Sequence, residues 1–122
     1  MDDEEIVLKI ATGMLEKLGY DVEIAKNGEE AIRLYKEAKE KGQSFDAVIM
    51  DLIIKGGMGG KKASEEILKY DPEAKIIISS GYFNDPIMSE YKKYKFKGVI
   101  AKPYKVDKLS FVLHRVLKET NS

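Results

Sequence analysis

Short apolar runs alternate with longer amphipathic segments along this chain, the pattern of a βα repeat and a parallel sheet. "EEIVLKIATGMLEKLG" places Ile6, Ile10, Met14 and Leu18 near one helical stripe, and Gly19 stands where a C-terminal cap is favoured. "DVEIA" (21–25) predicts a strand. "NGEEAIRLYKEAKEKG" predicts a helix opened by Asn27 as N-cap, with Glu30 three residues on, and closed at Gly42. "FDAVIM" (45–50) and "KIIISS" (75–80) read as strands buried on both faces.

Between them a glycine-rich loop, "LIIKGGMGG", leads into a helix from about Lys61 to Tyr70. "NDP" (84–86) predicts another helix start with Asn84 as cap, and "GVIA" (98–101) a last short strand. "KVDKLSFVLHRVLKE" predicts a final helix with Val106, Leu109, Leu113, Val116 and Leu117 turned inward. The expected order is α-β-α-β-α-β-α-β-α. A doubly wound sheet normally opens on a strand, because its first helix needs a sheet face to cover. The expected strand that is missing would end at Met1.

A chain of 122 residues fits one domain, taken as 1–122. Twenty-one basic and twenty-one acidic residues cancel, so no global charge draws nucleic acid or an anionic membrane. The absence of cysteine removes disulfides, thiolate nucleophiles and cysteine metal sites. The apolar runs are too short to span a bilayer, and the acidic N-terminus has no signal-peptide pattern. A cytoplasmic domain is expected.

Ligands of an open parallel sheet gather at the carboxyl ends of its strands. Asp51 follows one strand, Ser79 and Ser80 end another, and Lys102 follows a third. Asp2 and Asp3 would follow the missing one. Clustered carboxylates repel one another and call for a divalent cation, and hard oxygen ligands suit Mg2+. A lysine and a hydroxyl beside that metal suit a phosphoryl group.

"DD" before the first helix, "DAVIMDL", "SSGY" and "AKPY", in this order and spacing, resemble response-regulator receiver domains, closest in detail to receivers of hybrid sensor kinases. The resemblance covers nearly the whole chain. It implies a flavodoxin-like doubly wound parallel sheet lacking its first central strand, hence four-stranded, rearranged or strand-swapped. It makes Asp51 the phosphoacceptor, a carboxylate nucleophile. Asp2 and Asp3 become metal-binding acids, joined by Asp51 and the backbone carbonyl of Ile53. Lys102 would pair with phosphoryl oxygens, Pro103 would follow a cis peptide bond, and Ser80 fits the switch hydroxyl better than Ser79. The implied donor is a histidine kinase or histidine phosphotransfer protein, and the implied chemistry is self-phosphorylation and self-dephosphorylation rather than turnover of a separate substrate.

Three positions depart from the family pattern. Val99 stands where an aromatic switch residue is common, with Tyr104 too differently placed to replace it. Lys55 replaces a usual proline, and "GGMGG" predicts a mobile loop. The third departure is the first strand itself. Losing a central strand would cost more than the ~5–15 kcal/mol a domain possesses, so the sheet is expected to rearrange, borrow a segment or pair with a second copy.

Other chemistries fit worse. A haloacid-dehalogenase-type phosphatase wants a second acid at Ile53. The G-x-x-x-x-G-K-[ST] loop fails, since the run from Gly56 to Gly60–Lys61 is one residue short and Lys62 follows. The dinucleotide pattern fails at Lys62 too. His114 reads as a surface helical residue, and Tyr91, Tyr94 and Phe96 as packing at a helix end or a partner surface. The alternative function is a receiver-like interaction module that is not phosphorylated.

Overall fold

Three consecutive isoleucines, Ile76, Ile77 and Ile78, are wholly excluded from water, and the sheet is built around them. They lie on the middle strand of three. In the computed structural model, which describes residues 1–52, 58–81 and 86–118, β1 (Val48–Asp51), β2 (Ile76–Ser80) and β3 (Gly98–Ala101) pair in that order, all parallel. Covering both faces of a strand requires apolar residues at odd and even positions alike, which is why its sequence is continuous rather than alternating. Each buried isoleucine contributes roughly 1.5–3 kcal/mol.

Five helices supply the two covers: α1 (Glu5–Lys17), α2 (Gly28–Glu40), α3 (Gly60–Tyr70), the short α4 (Pro86–Ser89) and α5 (Val106–Lys118), with a 3-10 turn at Tyr91–Tyr94. Ile76 and Ile78 pack with Ala31 and Tyr35 of α2, Ala63 and Ile67 of α3, and Ile87 and Met88 of α4. Ile77 and Ile100 pack on the other face with Leu109, Leu113 and Val116 of α5, which Met14 and Leu15 of α1 join. This is a doubly wound α/β sheet. Asn27 caps α2 as its sequence predicts, accepting the Glu30 amide at 2.9 Å. Gly19 and Gly42, just beyond α1 and α2, take φ of 93° and 74°, a conformation that favours glycine.

Three expectations need correction. "DVEIA" forms no strand among the described residues. A parallel strand needs a neighbour in continuous register, and among the described residues no strand runs beside Ala25, whose carbonyl accepts the Asp2 amide at 3.1 Å. Ile6 and Ile10, placed near one helical stripe with Met14 and Leu18, are 71% and 49% exposed, and Leu8 is buried instead. Among the described residues, neither isoleucine joins one of the two buried clusters. Val106, expected on the inner side, is 46% exposed at the first position of α5. Asn84 and the "KGG" part of the loop after Asp51 lie outside the described residues.

Met1 and Asp2 occupy the carboxyl end of an inner strand position. The Met1 amino group donates to the Ile49 carbonyl at 2.6 Å, and the Asp51 amide donates to the Met1 carbonyl at 3.0 Å. That is the alternation of a parallel ladder, made by one residue. Burial draws the Met1 amine down to about 6, against the opposing pull of Asp2 and Asp51.

Candidate functional site

The same ladder bonds carry Asp2 to the end of β1, where Asp51 stands. Both acids are buried, while the neighbouring Asp3 faces solvent. Asp2 also opens α1, its Oδ1 accepting the Glu4 amide at 3.0 Å, so the turn that starts the helix holds this carboxylate still. One carboxylate oxygen from each of Asp2, Asp3 and Asp51 lies within 4.8 Å of the others.

Lys102 reaches into this cluster from the end of β3. Its backbone amide donates to the Ser80 carbonyl at 3.0 Å, and its peptide bond to Pro103 is cis. Its Nζ lies 2.5 Å from Asp2 Oδ2 and 3.1 Å from Asp51 Oδ2. Asp2 Oδ2 is buried and meets no donor other than this ammonium, so it keeps an acceptor position for a second cation. Burial works to lower the Lys102 pKa, but the two carboxylates outweigh it and hold the ammonium above its ordinary value.

An all-oxygen donor set, two members buried and one open to water, fits a hard divalent cation that keeps part of its hydration shell. The unused acceptor of Asp2 fits the same role. Ile53, expected to add a backbone carbonyl, lies outside the described residues.

Ser79 and Ser80, both buried, end β2, and Ser79 is in register with Asp51. Successive strand residues face opposite sides, so only one of the two hydroxyls can share a given face of the sheet. Ser79 Oγ lies 2.6 Å from the Tyr104 hydroxyl, on the side covered by α5. Burial raises the Tyr104 pKa. Val99, at the position where an aromatic was noted to be absent, packs half-buried against the opposite core.

Two supports of the site were missed by sequence reasoning. One is the Tyr104–Ser79 pair, whose signal was the placement of Tyr104 two residues beyond Lys102. The other is Gly60: a β carbon there would collide with the backbone carbonyl of Asp51. Its signal was a glycine at the first position of α3, where a better helix former is expected.

Comparisons with known proteins point one way. A sequence model of the response regulator receiver domain matches residues 1–114. Chemotaxis protein CheY of Thermotoga maritima is 34% identical over 97% of this chain and 94% of its own length. Sensor kinase CckA of Brucella abortus is 27% identical over 98% of this chain, which spans only 12% of that protein. Among solved structures, the receiver domain of a sensor histidine kinase from Pseudomonas aeruginosa, with a magnesium ion in its active-site cleft, aligns with a TM-score of 0.84 at 23% identity, covering 98% and 94% of the two chains. CheY in a complex with CheX, beryllofluoride and magnesium from Borrelia burgdorferi aligns at 0.86 and 24% identity, covering 97% and 86%. By sequence and by fold, this chain belongs to the response regulator receiver domain family.

Proposed function

We propose that the chain is a phosphoacceptor that takes a phosphoryl group from a phosphohistidine onto Asp51 and thereby switches its contacts with a partner. The observation that carries this reading is the convergence of Asp2, Asp3 and Asp51 with the Lys102 ammonium at one strand end. An Asp51 carboxylate oxygen forms the new O–P bond. The P–N bond to the donor imidazole breaks, and the imidazole leaves with that electron pair.

Lys102 supplies fixed positive charge where phosphoryl oxygens gather negative charge, and its two carboxylate contacts hold it there beforehand. Mg2+, when held by Asp2, Asp3, Asp51 and the Ile53 carbonyl, would neutralise the phosphoryl oxygens further. Ser80, at the end of β2, is the hydroxyl assigned to sense the phosphoryl group. No separate substrate is turned over: phosphorylation and its reversal occur on Asp51 itself.

The donor class is a histidine kinase or histidine phosphotransfer protein, and the setting is the cytoplasm. Sensor kinases among the relatives support this class. No described helix is long and apolar enough to cross a membrane.

A magnesium and beryllofluoride titration followed by two-dimensional NMR tests the reading. Shifts of the Asp51, Ser80 and Lys102 amides are expected, and Asp51→Asn is expected to abolish them. An intact, well-dispersed spectrum that ignores both additions would instead favour an interaction module that is not phosphorylated.

A further inference from the structure

The contacts that hold the Lys102 ammonium are ones a metal would compete for. It sits 2.5 Å from Asp2 and 3.1 Å from Asp51, and both acids belong to the cluster that suits a divalent cation. A lysine carries its charge on a long flexible stem, so the placement of that charge depends on how firmly the backbone at its base is fixed.

That backbone has two ties, both to the end of β2. The Lys102 amide donates to the Ser80 carbonyl at 3.0 Å. Two residues on, past the cis bond to Pro103, the Tyr104 hydroxyl lies 2.6 Å from Ser79 Oγ. In the connection from β3 to α5, Pro103 and Lys105 face solvent, whereas Tyr104 packs against the cluster of Ile77, Ile100 and Leu109. Tyr104 is therefore the side chain that roots this connection in the core. Ser79 is also the register partner of Asp51, which puts the two side chains on one face of the sheet. The Tyr104 tie thus ends beside the acid that Lys102 meets.

Packing alone does not require this pair. Ser79 follows three isoleucines that water does not reach, and phenylalanine would supply the same ring at Tyr104. A buried hydroxyl costs free energy unless it meets a partner, and a satisfied polar pair specifies a geometry that apolar groups leave looser. We propose, on the reading that Asp51 is the phosphoacceptor, that Tyr104 is a positioning residue for the transfer: through Ser79 it fixes the Lys102–Pro103 turn and so keeps the Lys102 ammonium at Asp51. The effect falls on transfer rather than on metal binding, because Asp2, Asp3 and Asp51 are carried by the start of the chain and by β1, not by this connection.

The test compares Tyr104→Phe with Tyr35→Phe, which removes a buried tyrosine hydroxyl contact at Asp71, away from Asp51. Phosphorylation by acetyl phosphate is timed at saturating magnesium, magnesium affinity is titrated separately, and the Lys102 ammonium is observed by NMR of the metal-free, lysine-labelled chain. In Tyr104→Phe the transfer rate is expected to fall about tenfold, with magnesium affinity unchanged and the ammonium resonance moved. Tyr35→Phe should lose stability and keep all three. Ser79→Ala combined with Tyr104→Phe should regain part of the stability and stay slow. A folded Tyr104→Phe chain that reacts at the parental rate overturns the proposal. So does equal slowing in Tyr35→Phe, or a double variant whose rate recovers with its stability. A folded parent that takes up no phosphoryl group overturns the phosphoacceptor reading and the transfer role with it. An ammonium resonance that ignores Tyr104→Phe overturns the positioning role whichever way the parent behaves.

Discussion

The hydroxyls of Tyr104 and Ser79 lie 2.6 Å apart, joining the segment after Lys102 to the strand residue in register with Asp51. Ser79 is wholly buried, so losing its partner leaves a hydroxyl with no water to turn to. Tyr104→Phe should therefore destabilise the chain by about 1–3 kcal/mol. Adding Ser79→Ala to that variant should recover part of the loss, since both polar partners are then gone. Urea unfolding of the four members of the cycle measures the coupling.

Two glycine substitutions should have opposite signs. Gly60→Ala places a β carbon against the Asp51 carbonyl, a backbone atom that cannot swing aside, and should cost about 1–3 kcal/mol. Gly13 lies within α1 with open space around its missing β carbon, so Gly13→Ala should stabilise by about 0.5–1 kcal/mol. Thermal unfolding of both variants decides the matter. The Gly60 variant should also disturb the Asp51 amide resonance.

Lys102 keeps two buried carboxylates from facing each other unscreened. Lys102→Ala should destabilise the metal-free chain by about 3 kcal/mol, the scale for removing one partner of a buried pair. Magnesium should then restore more stability in the variant than it adds to the parent, because both cations answer the same charges. Equal magnesium effects on the two chains would mean that the metal does not bind among these acids.

Much of this arrangement was legible in the sequence. The buried strand around Ile77, the Asn27 cap and the placement of Asp51 and Lys102 at strand ends followed from apolar runs and their spacing. "DVEIA" was misread because local β propensity says nothing about whether a neighbouring strand exists to receive its hydrogen bonds. The exposure of Ile6 and Ile10 has the same origin, since a helical stripe predicts a face but not what that face meets. The Tyr104–Ser79 pair and the Gly60 contact depend on residues far apart in sequence, which periodicity cannot bring together.

Acid should loosen the molecule at a second place, away from Asp51. Asp71 Oδ2 accepts the Tyr35 hydroxyl at 2.7 Å and meets Lys39 at 3.0 Å. Burial tends to raise the Asp71 pKa, but these partners and the Glu73 amide hold it below its ordinary value. A depressed folded value means the unfolded chain takes up the proton first. The stabilisation is thus complete above the ordinary carboxylate value of 3.8 and is lost as pH falls through the lower folded one. Urea midpoints measured from neutral pH down to strongly acidic pH should fall less steeply for Asp71→Asn than for the parent chain.

The central claim is that Asp51 accepts a phosphoryl group. Its most direct test is transfer of radiolabelled phosphate from a phosphorylated histidine phosphotransfer protein, with magnesium present, to the parent chain and to Asp51→Asn. Alkali-labile label on the parent and none on the variant is the predicted result. Label that persists in a folded Asp51→Asn chain, or a folded parent that takes up none from any phosphohistidine donor or from acetyl phosphate, would contradict it.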